Sequence, residues 1–123
     1  MLKVKSVSKI YKKRDQEVKA IDNVSLEIPK GDFVSIIGPS GSGKSSLLLM
    51  LGGMLSPSLG KVFIDDESLY DLSPNEIAAL RQKKIGFVFQ TFNLIPYLSA
   101  IQNVQVPLLL SGMHEKDQVE KAQ

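Results

Sequence analysis

Polar and apolar residues alternate through most of the first thirty positions, a short apolar run then enters a glycine-rich loop, and an almost wholly apolar stretch follows the loop. Those three observations predict an α/β fold. An antiparallel β-subdomain comes first, a strand–loop–helix core second, and helices close the chain. The expected spans are 1–32 for the antiparallel β-subdomain, 33–90 for the core with a further β-subdomain strand over 60–66, and 91–123 for the start of a helical subdomain.

The elements follow in order. Leu2, Val4 and Val7 stand apolar among Lys3, Lys5 and Ser6, so residues 2–10 predict a strand. Lys12 to Glu17 is a charged turn, and Val18, Ile21, Val24, Leu26 and Ile28 space out a second strand that Pro29-Lys30-Gly31 closes. Phe33-Val34-Ser35-Ile36-Ile37 is short, β-branched and nearly all apolar, as expected of a strand buried on both faces of a parallel sheet. Past the loop, Ser46 to Leu51 is apolar on nearly every side and predicts a buried helix ending near Gly52-Gly53. Lys61 to Asp65 returns to strand character. Ser73-Pro74-Asn75-Glu76 is a capping box with proline at the first helical position. It starts a helix through about Lys83, with the cluster Arg81, Lys83 and Lys84 at the end that prefers positive charge. Ile85 to Phe89 predicts a second buried strand, and His114 to Gln123 is polar and helix-prone. There is no internal repeat and no low-complexity linker.

Composition excludes several classes of function. With 123 residues there is room for one modest domain or part of a larger one. A net charge of +2 is too small to argue for nucleic acid. The absence of cysteine removes disulfides and thiolate metal sites. No apolar run approaches the roughly 18 residues of a spanning helix, and the N-terminus lacks a signal-peptide core. A soluble chain is expected, with any membrane role reached through a partner.

Three physical demands meet in Gly38-Pro39-Ser40-Gly41-Ser42-Gly43-Lys44-Ser45. A polyphosphate needs several converging donors, and consecutive backbone N–H groups in a tight loop provide them. Glycines at 38, 41 and 43 permit unusual backbone angles and close approach. The helix that follows aims its N-terminal amides and dipole at the anion. Lys44 adds a point charge for the β- and γ-phosphates, and the Ser45 hydroxyl can ligate Mg²⁺. A chance match in a chain of this length is rarer than about one in a hundred. The loop therefore predicts binding of ATP as Mg·ATP on a partial phosphate-loop NTPase core.

The loop alone serves many families, and the rest of the chain narrows the choice. Tyr11 follows the first strand in Val7-Ser8-Lys9-Ile10-Tyr11, and Ala20-Ile21-Asp22-Asn23-Val24-Ser25-Leu26 leads towards the loop. Gly60-Lys61-Val62 and then Ile85-Gly86-Phe87-Val88-Phe89-Gln90-Thr91-Phe92-Asn93-Leu94-Ile95-Pro96 complete the pattern. Together these resemble the ATP-binding-cassette ATPases that power transporters, above all the subgroup of macrolide exporters, lipoprotein-releasing complexes and similar peptide exporters. The resemblance runs along the whole chain but covers only about half of such a family member.

The resemblance implies roles for particular residues. Tyr11 would stack on adenine, the alternative being a ring packed between strands. Ser40, Gly41, Ser42, Gly43, Lys44, Ser45 and Ser46 would bind the phosphates, with the Ser46 hydroxyl on the α-phosphate side. Ser45 would hold Mg²⁺. Gln90 would contact Mg²⁺ and the attacking water, the alternative being a solvated glutamine. Phe92, Leu94, Ile95, Pro96 and Tyr97 would meet a transmembrane permease subunit over 92–97, the alternative being a local mini-core. A second ATPase subunit would pair head to tail, and the location implied is cytoplasmic, peripheral to the membrane through the partner.

Some features resemble family motifs and are declined. Leu110-Ser111-Gly112 is broken by Met113 and His114, and predicts a helix end with a glycine terminator. His114 is expected to be a surface histidine. Asp65 and Asp66 follow Lys61-Val62-Phe63-Ile64, which begins with a charge where an acidic metal-binding strand should be apolar. The basic cluster at 81–84 is expected to be a solvated helix end. The signature motif, the acidic strand end with its general-base glutamate and the switch histidine are all absent. These 123 residues by themselves are therefore expected to bind ATP poorly or moderately and not to hydrolyse it, the alternative being a truncated nucleotide-binding or partner-binding module.

Overall fold

A computed structural model of the chain describes residues 1–13 and 16–122. They form two compact units, Met1–Ile85 and Gly86–Gln123.

The first unit is built on an antiparallel sheet. β1 (Leu2–Lys13) pairs with β2 (Gln16–Ile28), placing Leu2 opposite Ile28 and Tyr11 opposite Val18. On its other edge β1 pairs with β3 (Leu59–Ile64), which in turn holds the short β4 (Glu67–Ser68), giving the order β2-β1-β3-β4. The alternation of the sequence sets this register. Val4 sits between Leu26 and Val62, and a slip of one residue would carry the whole apolar set to the other face. The register of β1 on β2 shifts near Ser6 and Asn23, both at positive φ. Hydroxyls accept the amides that the ladder misses there: Ser6 N–H donates to Ser25 Oγ at 2.8 Å and Asn23 N–H to Ser8 Oγ at 2.9 Å. Of the predicted charged turn, Lys12 and Lys13 end β1 and Gln16 and Glu17 open β2, while Arg14 and Asp15 lie outside the described residues.

α1 (Lys44–Leu51) lays Leu47, Met50 and Leu51 into a core with Val4, Val7, Ile21, Val62, Ile64, Leu69 and Leu80. Burial of each large side chain there contributes roughly 1.5–3 kcal/mol. Leu48, on the opposite side of α1, is 52% exposed, so the helix is buried on one face and not all round as its composition predicted. The Tyr70 hydroxyl lies 2.7 Å from the carbonyls of both Met50 and Leu55, which satisfies the end of α1, and burial pushes its pKa up to about 12. α2 (Pro74–Lys84) carries the predicted capping box, with Ser73 N–H donating to Glu76 Oε2 at 2.8 Å. Its last residue, Lys84, pairs with Asp65 at 2.7 Å, and the Met1 ammonium meets the same carboxylate at 2.8 Å.

Two predicted strands need correction. Phe33–Ile37 is non-helical but joins no sheet among the described residues, and Phe33 and Ile37 are 97% and 89% exposed. Ile85–Phe89 likewise joins no sheet among the described residues, and Val88 is 99% exposed. A strand of a parallel sheet takes its hydrogen bonds from neighbours on either side and its burial from helices on both faces. No described segment supplies that sheet.

The second unit opens on that unpaired stretch, where the rings of Phe87 and Phe89 stack at 5.6 Å. α3 (Ala100–Leu110) begins with a second capping box, Ser99 and Gln102, and α4 (Glu115–Ala122) packs against it. Gly112 at φ +75 terminates α3 through Ser111, as Leu110-Ser111-Gly112 predicted. Asn103 stitches the preceding loop to the helix. Its Oδ1 accepts the Ile95 N–H at 2.7 Å, and its Nδ2 lies 3.2, 3.1 and 3.0 Å from the carbonyls of Ile95, Leu98 and Ser99.

Candidate phosphate-binding site

The loop between residues 38 and 45 lies against β2 at Ala20 and enters α1. Gly43 is the N-cap of that helix, at φ +86 and with no side-chain cap. A Cβ on Gly43 would lie 2.2 Å from the Ala20 carbonyl oxygen, so the loop rests directly on the backbone of β2. Ala20 lies where the register of β1 on β2 shifts, between the pairs Lys9–Ile21 and Ile10–Lys19, and takes no partner in β1. An unpaired residue of this kind turns its peptide out of the ladder.

The first helical bond of α1 runs from Leu47 N–H to Gly43 O at 2.8 Å. The amides of Lys44, Ser45 and Ser46 precede it and point ahead of the helix, where the dipole adds positive potential. No acidic residue stands in the first turn to oppose it. These groups line a hollow of about 260 Å³, bounded by Ala20 and by Ser40, Gly41, Ser42, Gly43, Lys44, Ser45 and Ser46. Lys44 folds back across the loop: its ammonium donates to the carbonyls of Gly38 at 2.9 Å and Pro39 at 2.7 Å, with Ser42 Oγ at 3.4 Å. Lys44 lines this hollow, while the residues whose carbonyls its ammonium meets line an adjoining one of about 340 Å³ together with Ser42, Gly43 and Lys44 itself.

The structure thus brings Ser40 to Ser46 together. Tyr11 stands near the end of β1, 45% exposed, opposite Val18 and so two residues along β2 from Ala20. Gln90 belongs to the second unit and is exposed there. In the loop that follows, Phe92 and Tyr97 are 91% and 86% exposed and Ile95 is half-buried, so the segment presents its large apolar groups instead of forming a mini-core. Two residues escaped the sequence reading: Ala20, whose backbone seats the loop, and Asn103, whose amide ties Ile95 to α3. Ala20 leaves no signal in the sequence, because its contribution is a carbonyl.

The ABC transporter family model matches residues 21–123. The chain belongs to the ABC transporter family. It is 50% identical over 109 residues to the uncharacterized ABC transporter ATP-binding protein MJ0796 of Methanocaldococcus jannaschii, covering 89% of this chain and 46% of that protein. It is 41% identical over 122 residues to the macrolide export ATP-binding/permease protein MacB of Hyphomonas neptunium, covering 99% of this chain and 19% of the relative. The dimeric structure of a post-hydrolysis state of the ATP-binding cassette MJ0796, bound to ADP and Pi, superposes with a TM-score of 0.93 at 45% identity. That match covers 99% of this chain and 54% of the other. The ABC family and the macrolide-exporter subgroup agree with the resemblance carried by the loop and the segment around Gln90. The chain spans about half the length of the ATP-binding relatives that head the comparison.

Proposed function

We propose that this chain forms the Mg·ATP-binding part of an ABC ATPase that couples ATP binding and hydrolysis to export or release of a substrate by a membrane partner. One observation carries the reading: the first-turn residues of α1, the loop glycines Gly41 and Gly43 and the Lys44 side chain line one hollow, with the Lys44 ammonium held on the same loop. On binding, Lys44 exchanges two neutral carbonyls for the anionic oxygens of the β- and γ-phosphates, which adds the attraction between opposite charges that the carbonyls lack. Gly41 and Gly43 keep the backbone close enough for its amides to reach the same oxygens. The Ser46 hydroxyl serves the α-phosphate side, and the Tyr11 ring stacks on the adenine.

Magnesium fits this arrangement. Among the described residues no three His, Cys, Asp or Glu side chains converge on a metal site. Mg²⁺ favours few protein ligands, keeping waters and phosphate oxygens around it. Ser45, at the start of α1, would hold it here, and the Mg²⁺- and water-contacting role of Gln90 is the one the family resemblance implies. The exposed loop over 92–97 is the surface proposed for the transmembrane permease subunit, and a second ATPase subunit is proposed to pair head to tail. The location that follows is the cytoplasmic face of the membrane. Within this assignment residues 1–32 are the β-subdomain, 33–90 the phosphate-loop core and 91–123 the opening of the helical subdomain.

Calorimetric titration with Mg·ATP tests the reading. Lys44→Ala should weaken binding at least about tenfold, the loss of a charge-assisted contact of roughly 1.5–3 kcal/mol. Equal affinity in the variant would remove Lys44 from the site. A second reading, nucleotide binding without turnover, is favoured by the absence of any carboxylate among the residues lining the hollow. Phosphate release by the purified chain should accordingly stay at the level of the Lys44→Ala control, whereas turnover abolished by that substitution would reveal a general base.

A further inference from the structure

We infer that Lys9 is a positioning residue for the base of the nucleotide, holding the Tyr11 ring by one face so that the other receives adenine. The inference rests on the proposed stacking role of Tyr11. Lys9 and Tyr11 are two residues apart on β1, and alternation along a strand places them on the same face. The Lys9 ammonium stands over the Tyr11 ring, 5.5 Å from its centroid, within the range of a cation–π contact.

The ammonium is itself anchored. It donates to the Ser56 carbonyl at 2.7 Å, in the connection between α1 and β3. That connection is sewn to β1 by Ser58 N–H on the Ser8 carbonyl at 2.8 Å and by Ile10 N–H on Ser58 Oγ at 3.0 Å. The carbonyl, the ammonium and the ring therefore form a stack fixed to the sheet at its base. Of the other lysines of this hairpin, Lys3, Lys12 and Lys19 pair with Glu27, Glu17 and Asp22, and Lys5 stands over the Phe63 ring, 5.0 Å from its centroid. Lys9 forms no ion pair among the described residues, so its charge is directed at the ring.

A tyrosine near a strand end and 45% exposed would otherwise sample several rotamers, and a base would have to order it on binding. With one face already occupied, the ring is presented edge-fixed, and the cation draws its π-density away from the outer face. The effect reaches only the base. A polyphosphate without a base has no contact with Tyr11 and should be indifferent to Lys9.

The test measures dissociation constants of Mg·ATP and Mg·tripolyphosphate for the 123-residue chain and its Lys9→Met, Lys9→Arg, Tyr11→Ala and Lys9→Met/Tyr11→Ala variants. Lys9→Met should weaken ATP about two- to fivefold and leave tripolyphosphate unchanged. Lys9→Arg should bind ATP like the parent, and Lys9→Met should add nothing in the Tyr11→Ala background. Equal losses for both ligands would make Lys9 a phosphate contact or a folding residue and overturn the inference, as would additivity with Tyr11→Ala. If Tyr11→Ala weakens ATP and Lys9→Met does not, the inference fails while the stacking role stands. If Tyr11→Ala binds ATP like the parent, or the parent binds no ATP, the underlying reading fails and the inference with it.

Discussion

Replacing Gly43 with alanine should lift the phosphate loop off β2. Two costs are separable. The backbone at Gly43 has φ +86, a conformation that costs an L-residue about 1–2 kcal/mol. The new Cβ would also stand 2.2 Å from the Ala20 carbonyl oxygen and 3.3 Å from its carbon. Both atoms are backbone and cannot rotate aside, so the loop or the strand must move, at roughly 1–3 kcal/mol for an overpacked site. The sum is about 2–5 kcal/mol. Gly41 provides the control within the same loop. Its φ is +79, yet a Cβ there meets nothing within 4 Å, so Gly41→Ala incurs only the first cost. Urea titrations without nucleotide should therefore rank parent, Gly41→Ala, Gly43→Ala in falling stability. With slopes of about 1–3 kcal/mol per molar, the two variants should differ by on the order of 1 M in midpoint. Identical midpoints would refute the claim that the loop is seated on Ala20.

Further outcomes follow from other parts of the chain. Lys84 and the Met1 ammonium hold the Asp65 carboxyl at about 2, below its usual 3.8. Its contribution is therefore present above pH 3.8 and lost as pH falls towards 2. Asp65→Asn should lower the urea midpoint at neutral pH and converge on the parent near pH 2, and a gap that persists at that pH would contradict the pairing. The exposed Phe33–Ile37 and Ile85–Phe89 segments should drive concentration-dependent self-association, visible by sedimentation velocity. Val88→Lys should reduce it with a change in stability within about 0.5 kcal/mol, since Val88 is 99% exposed. ATP and GTP should bind within about tenfold of each other, because the stacking proposed for Tyr11 barely distinguishes purines. A larger preference, measured by calorimetry, would require polar contacts to the base.

Legibility in the sequence followed the range of the forces involved. Local signals held. The alternation of Val4 and Val7 against Leu26 and Val62 marked the antiparallel sheet, and Ser73 with Glu76 marked the start of α2. The glycine loop announced its chemistry because the spacing of glycines and Lys44 is itself the physical requirement. The capping box of Ser99 and Gln102 is an equally local pattern at the start of α3. What failed was non-local. Phe33–Ile37 has the composition of a central strand, but composition cannot supply the neighbour that makes it one. The same applies to Leu48, whose exposure depends on what lies across α1. In the candidate site, the side-chain donors were legible, while the seat for Gly43 was hidden in the carbonyl of an alanine.

The central claim is that the backbone amides around α1's N-terminus receive a polyphosphate. Amide proton–nitrogen correlation spectra during titration with Mg·ATP test it directly, with adenosine as the comparison ligand. Saturable shifts concentrated on the amides of Gly41, Ser42, Gly43, Lys44, Ser45 and Ser46, present with Mg·ATP and absent with adenosine, are the predicted result. Shifts centred elsewhere, or the same shifts with adenosine, would contradict the account.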